Sequence, residues 1–396
     1  MTTHKRDIER ISIGGWFQRT TLHLSEMYDL LKYAKSPLGL DPNKLQEYRS
    51  LVNPQGLQLH VGELDHITFS TTDGTIVTIY EDGLITLHTE RISGVIQDEI
   101  TRLTSFYEEQ ISPAFSYIFS LGAPVPKELA NIKTIYPYFV VFDNKSNEEV
   151  ESVFTELEEE VHYRVEKEDF DILRGDKLYV INNKKAPIAL VDEFIEEVIF
   201  TREFKGQMHR YLNLHRIIWE KIAEVKERGS IKGREVGKFK SRIEQYDKSI
   251  NLIGARIDQM DAYIGTRSKV AKMHLSETEF IDIVGFRYET LSNTLKYVKH
   301  IWKMTENYVQ SANKLFGDIQ SEATSKSIES LTVVTSMGVG AALLDLFNTS
   351  RPEFNGYGIM YVFLLAAIGY VVSRFMKWWG MSKTYGLDED KLNINE

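Results

Sequence analysis

Cysteine is absent from all 396 residues. That absence excludes a disulfide framework, a thiolate zinc site and a cysteine nucleophile, and it fits a reducing compartment. Proline is scarce and uneven: of nine, seven precede Tyr138 and the others are Pro187 and Pro352, so the stretch between those two permits long helices free of proline breaks. Positive charge is outnumbered. Forty-seven Lys and Arg against 57 Asp and Glu give a formal charge of −10, which argues against DNA or RNA as a partner because nucleic acids are held by a basic face. Catalytic signatures are missing too: there is no HExxH, GxSxG, GxGxxG or kinase motif, and GREVGK departs from a P-loop because position 232 is lysine. The ten histidines are scattered, and no nucleophile stands beside a base, so the chain is not expected to be an enzyme. The opening MTTHKRDIERISIGGW has no apolar core or small-residue cleavage site, and no signal peptide is expected there.

What is present divides by pattern. Residues 1–186 read as an α+β cytosolic domain. The runs IERISIGGW, LDHITFSTT, GTIVTIYEDGLITLHTE, IYPYFVVF and KLYVINN predict strands, and Asp73-Gly74 and Asp82-Gly83 predict hairpin turns. Helices are expected near Ile96–Leu121 and Asn147–Val161. The second carries Glu148, Glu149, Glu151, Glu156, Glu158, Glu159 and Glu160, either a divalent-cation site or a solvated face. Residues 187–275 form a helical region, broken near Gly229, Ser230 and Gly233, that packs on a stalk helix at 276–329. Leu291, Leu295, Val298, Trp302, Thr305, Val309, Ala312, Phe316, Ile319 and Ala323 follow steps of four and three. Such a stripe serves self-association, a stalk, or burial against the same chain. The basic run with Lys232, Arg234 and Lys238 holds candidate contacts for a ligand phosphate, or is a solvated helix start.

Toward the C-terminus the apolar residues gather. Phe354–Ser373 has twenty residues without a charge, about 30 Å of helix and enough to span a bilayer. Arg374, Lys377, Trp378 and Trp379 follow it as interfacial anchors. Ser330–Leu344, fifteen uncharged residues, is marginal as a span unless it faces water. Thr335, Gly338, Ala342 and Asp345 share one face of that helix, either lining a pore with Asn348 at its mouth or allowing close helix packing. The expected layout is a first transmembrane helix at 330–347, an extracellular connection at 348–355, a second transmembrane helix at 356–379 and a cytosolic tail at 380–396. The positive-inside rule then places the chain in the cell membrane as a multi-pass protein with both termini cytoplasmic.

This layout resembles the CorA superfamily of divalent-cation channels, most closely over Leu331–Trp379, where Pro352-Glu353-Phe354 and Gly356-Tyr357 stand where the family has its connection and GY pair. The family's Gly-Met-Asn mouth is replaced by Leu346-Phe347-Asn348, and only Asn348 carries over. The chain is similar to the CorA-like effectors of type III CRISPR antiviral systems that lack this motif. The resemblance implies a homo-oligomeric, pentameric funnel gated by a nucleotide second messenger, an S-adenosylmethionine–AMP conjugate, and permeabilising the lipid bilayer. Two other functions compete: a transporter of Mg2+ or another divalent cation, and a non-conducting, membrane-anchored binding module.

Overall fold

A computed structural model of the chain describes residues 8–17, 23–92, 94–119, 137–227 and 229–348, together with 360, 363, 367, 370, 371, 374, 375, 378 and 382–386. It divides into two compact units, Met1–Leu212 with Leu252–His300, and Asn213–Asn251 with Ile301–Glu396.

The first unit is built on nine strands: β1 (Ile8–Trp16), β2 (Gln55–His60), β3 (His66–Ser70), β4 (Ile76–Tyr80), β5 (Leu84–Ile92), β6 (Tyr138–Asp143), β7 (Tyr163–Glu166), β8 (Phe170–Arg174) and β9 (Leu178–Asn183). Their order across the sheet is β2-β3-β4-β5-β1-β6-β9-β8-β7. Every neighbouring pair is antiparallel except β6 and β9, which run parallel from Tyr138 opposite Leu178 to Asp143 opposite Asn183. Both Asp-Gly pairs make the turns their sequence demands. Gly74 and Gly83 adopt φ values of 84° and 96°, where a side chain is disfavoured, and Gly83 N–H closes its turn on the Tyr80 carbonyl at 3.0 Å.

The sheet is apolar on both faces near its centre. Val140 and Phe142 of β6 join a core cluster with Ile11, Met27, Leu103 and Phe154. Phe139 and Val141, which alternate with them, are buried outside that cluster. Period-two alternation with both faces covered explains why β6 reads as the unbroken apolar run YFVVF before Asp143. The helices that frame the core start on definite signals. In α1 (Leu24–Tyr33) Glu26 at the third position reaches back to the His23 N–H, and in α2 (Pro42–Val52) the Asp41 side chain accepts from Asn43 N–H ahead of Pro42. The segments α3 (Ile96–Phe106) and α4 (Ser112–Phe119) are joined by a π turn at Tyr107–Ile111, and α5 (Asn147–Glu156) opens on a Ser146–Glu149 capping box.

Three long helices follow: α6 (Ile188–Glu227), α7 (Gly233–Leu275) and α8 (Phe280–Asn348). Within the first unit α6 presses on β1 at Gly14, where an added Cβ would lie 2.5 Å from the Ile85 carbonyl oxygen and 2.9 Å from Ile199 Cδ1. Backbone cannot yield as a flexible side chain can. Gly14→Ala is therefore expected to lower stability by about 1–3 kcal/mol, read as a shift of the urea midpoint; an unshifted midpoint would mean that β5 and α6 both give way freely.

The second unit holds the C-terminal part of α6, the N-terminal part of α7 and α8 from Ile301 on, with a small ribbon of β10 (Ser230–Lys232) and β11 (Thr384–Gly386) in which Ile231 lies opposite Tyr385. Ile231 and Tyr385 are buried, and Gly233 N–H adds a bond to the Lys383 carbonyl at 2.8 Å. Trp219 stacks on Tyr308 at 4.2 Å, and His215 Nδ1 lies 2.5 Å from Thr305 Oγ1. The stripe from Leu291 to Ile319 is buried inside the chain at each of its positions. It is an internal seam, the third of the uses that its spacing allows.

The transmembrane hairpin is corrected by the structure. Among the described residues no helix is long and apolar enough to cross a membrane. The uncharged run Ser330–Leu344 spans about 22 Å, short of a bilayer core, and it continues a helix whose preceding turns carry Lys326 and Glu329. Most of 356–379, and 349–355 and 387–396, lie outside the described residues. The multi-pass placement in the cell membrane and the ion-channel architecture, both of which require that hairpin, fall with it. An α+β sheet domain with long helices is what stands.

Candidate functional site

In the first unit a cavity of about 350 Å3 opens among the β2–β3 hairpin, β4, α6 and α7. Strand register builds one wall. His60 lies opposite His66 across β2 and β3, and His66 opposite Tyr80 across β3 and β4. The two imidazoles stack at 4.7 Å with planes 17° apart, and His66 packs on the Tyr80 ring at 5.0 Å. His66 Nδ1 is 3.0 Å from the Leu64 carbonyl and His60 Nε2 is 2.9 Å from Thr68 Oγ1. The Leu64 bond requires a proton on Nδ1 of His66. Burial, reinforced by the charges of His60 and Arg267, holds the His66 pKa below its ordinary value.

The opposite wall is acidic. Asp192, Glu193, Glu196 and Glu197 of α6 line the cavity, since positions three and four apart share a helix face. Tyr80 donates to Glu196 Oε2 at 2.6 Å. Burial pushes the Glu196 carboxyl up to about 8, against the pull of Arg267. Glu193 and Glu197 are raised for the same reason.

Below both walls sits Arg267 of α7, 1% exposed. Its Nε donates to Asp82 Oδ2 at 2.6 Å, Nη2 to Asp82 Oδ1 at 3.3 Å and Nη1 to Glu197 Oε1 at 3.2 Å, while the guanidinium lies 4.5 Å over the Tyr80 ring. Tyr288 donates to the second Glu197 oxygen. Burial disfavours the charge, but Asp82 and Glu197 outweigh it and hold the Arg267 pKa above its usual value. At the rim His274 touches two carboxylates: Nε2 is 2.9 Å from Glu63 Oε2, and Nδ1 meets Glu193 Oε1.

Of these residues the sequence motifs singled out only Asp82, and that as a turn residue. The local signal was a charge inside an apolar row: Ile253, Ile257, Met260, Ile264, Arg267, Val270 and His274 follow steps of three and four, and all but His274 are buried. A second was Glu193, Glu196 and Glu197 set among Phe194, Ile195 and Val198. The residues that the sequence did single out lie elsewhere. Thr335 is exposed and Gly338 half-buried on α8, and the side chains of Ala342, Asp345 and Asn348 lie outside the described residues. Lys232, on β10, and Arg234 and Lys238, on the first turns of α7, are exposed in the second unit and are not among the residues of the cavity. On the acidic helix Glu149 closes the N-cap and Glu151 pairs with Arg164. Among the described residues no group of three or more His, Asp or Glu is arranged to hold a metal ion.

No family model and no curated protein matches the chain. The CorA-like reading therefore rests on the sequence features alone.

Proposed function

We propose that this chain is a small-molecule sensor, and that its ligand enters the acidic, imidazole-walled cavity of the first unit. The cavity carries the reading: it joins a flat ring surface to convergent polar groups, the combination that fixes small ligands. Binding rather than catalysis is favoured because the titratable groups already serve one another. Tyr80 is committed to Glu196, Arg267 to Asp82 and Glu197, and His274 to Glu63 and Glu193.

The ligand class follows from charge. Glu63, Asp192, Glu193 and Glu197 outnumber Arg267 and His274 around the space, with Glu196 kept neutral near pH 7 by burial, and this excess of negative charge repels a polyphosphate while accepting a cation. A nucleotide messenger of the kind implied by the CRISPR-effector resemblance meets both demands, since S-adenosylmethionine brings a sulfonium and AMP a single phosphate. Its adenine can lie on the His60–His66 pair. Signalling then requires only that one conformation of the chain bind the messenger better than another. No ion-conducting step belongs to this reading.

Calorimetric titration of the full chain tests it. The S-adenosylmethionine–AMP conjugate is expected to bind at micromolar concentration or below, and ATP at least about tenfold more weakly, a difference of roughly 1.4 kcal/mol. Heat from neither compound, or tighter binding of ATP, would overturn the assignment.

A further inference from the structure

His274 occupies an unusual seat. A neutral imidazole has one N–H and one lone pair, so it cannot donate through both ring nitrogens. Here both nitrogens meet carboxylate oxygens, Nδ1 that of Glu193 and Nε2 that of Glu63 at 2.9 Å. With both acids ionised, only an imidazolium satisfies both contacts. The two acids come from separate elements, Glu63 from the β2–β3 turn and Glu193 from α6, while His274 stands one residue before the end of α7, where the helix dipole favours a cation. The turn is itself fixed, with Gly62 N–H donating to Asp65 Oδ1 at 2.9 Å. The seat adjoins the His60–His66 shelf in the same cavity.

We propose that Glu63 and Glu193 form a subsite for an organic cation, such as a protonated amine or a sulfonium, and that His274 fills it as a resident competitor until ligand displaces it. The inference rests on the cavity being the ligand site and adds to that reading the place of the positive charge. Its distinctive consequence is a sign. Removing most cavity-lining side chains weakens binding, whereas removing His274 strengthens the binding of a cation.

The probes are adenosine and 5′-amino-5′-deoxyadenosine, which share ring and sugar and differ by one positive charge near neutral pH. They are titrated calorimetrically into the full wild-type chain, Glu63→Gln, Glu193→Gln and His274→Ala, with thermal melting to check that each variant folds. Wild type is expected to prefer the amine by about tenfold, in line with one charge-assisted contact. Each glutamine variant is expected to bring the two probes within about threefold, and Glu63, half exposed on a turn, serves as the variant least able to disturb folding. His274→Ala is expected to raise amine affinity severalfold and leave adenosine unchanged. Equal binding of both probes to wild type would overturn the cation subsite and leave the cavity reading intact. Weaker amine binding by His274→Ala would overturn the competitor role. Binding of neither probe at millimolar concentration would remove the inference together with the reading beneath it.

Discussion

Arg267→Leu is expected to lower the stability of the first unit by about 3–5 kcal/mol, a large share of the roughly 5–15 kcal/mol by which a domain is ordinarily stable. The guanidinium is 1% exposed and faces Asp82 and Glu197, which are 5% and 1% exposed. Removing it strands two carboxylates in a medium that cannot solvate them. Asp82 also accepts the Leu84 N–H at 3.1 Å, so repulsion between the acids would pull on the turn that sets the β4–β5 hairpin. Arg267→Lys should recover only part of the loss, because a single ammonium cannot reproduce the fork that bridges both partners. Arg267→Leu combined with Asp82→Asn and Glu197→Gln should recover most of it, since the cost belongs to the orphaned charges and not to the missing pair. Urea denaturation of the three variants gives the comparison. A loss below about 1 kcal/mol for the single change would show that water reaches the cluster.

That cluster also explains how far the sequence could be read. Elements that depend on neighbours in the chain were legible: the Asp-Gly turns, the alternating runs of β1, β4 and β5, and the three proline-free helices. Strands β2, β7 and β8 were not: β2 and β7 are the edges of the sheet and are exposed along nearly their whole length, and β8, though buried, is a five-residue run that carries Asp171 and Arg174. The hairpin expected at the C-terminus rested on two apolar runs, on the flanking Arg374, Lys377, Trp378 and Trp379 and on a family resemblance; for the fifteen-residue run Ser330–Leu344, apolar content does not distinguish a bilayer from other surroundings. The heptad stripe was legible as a pattern, and spacing could not say what covers it. The cavity was illegible for a different reason. His60 and Tyr80 meet through strand register, and Glu63 and His274 are 211 positions apart; no local motif encodes a contact made by topology. The local traces were charges in apolar rows, Arg267 on α7 and Glu193, Glu196 and Glu197 on α6, which require a neutralising partner without saying which.

Glu196 should show itself in the dependence of stability on pH. Its folded-state carboxyl titrates near 8 against an ordinary 4.5, because it is buried. Between those values the unfolded chain gives up a proton that the folded chain keeps, so ν is larger in the native state and stability falls as pH rises through that window. Glu203, raised by burial to about 7, acts in the same direction. His88, depressed by burial to about 4, acts in the opposite one: between about pH 4 and 6.5 the unfolded chain holds the extra proton, and stability rises with pH. The total curve therefore mixes signs below pH 6.5. The difference between wild type and Glu196→Gln isolates the carboxyl, because the histidines and Glu203 contribute to both. Glutamine keeps an oxygen to accept the Tyr80 hydroxyl and loses the ionisation, so the variant is expected to gain on wild type by on the order of 2–4 kcal/mol between pH 5 and pH 8.5, with access to the cavity setting where in that range it falls. Denaturant titrations at the two pH values measure it. A difference that does not change with pH would place the Glu196 carboxyl in contact with solvent and remove the low-dielectric wall from the cavity.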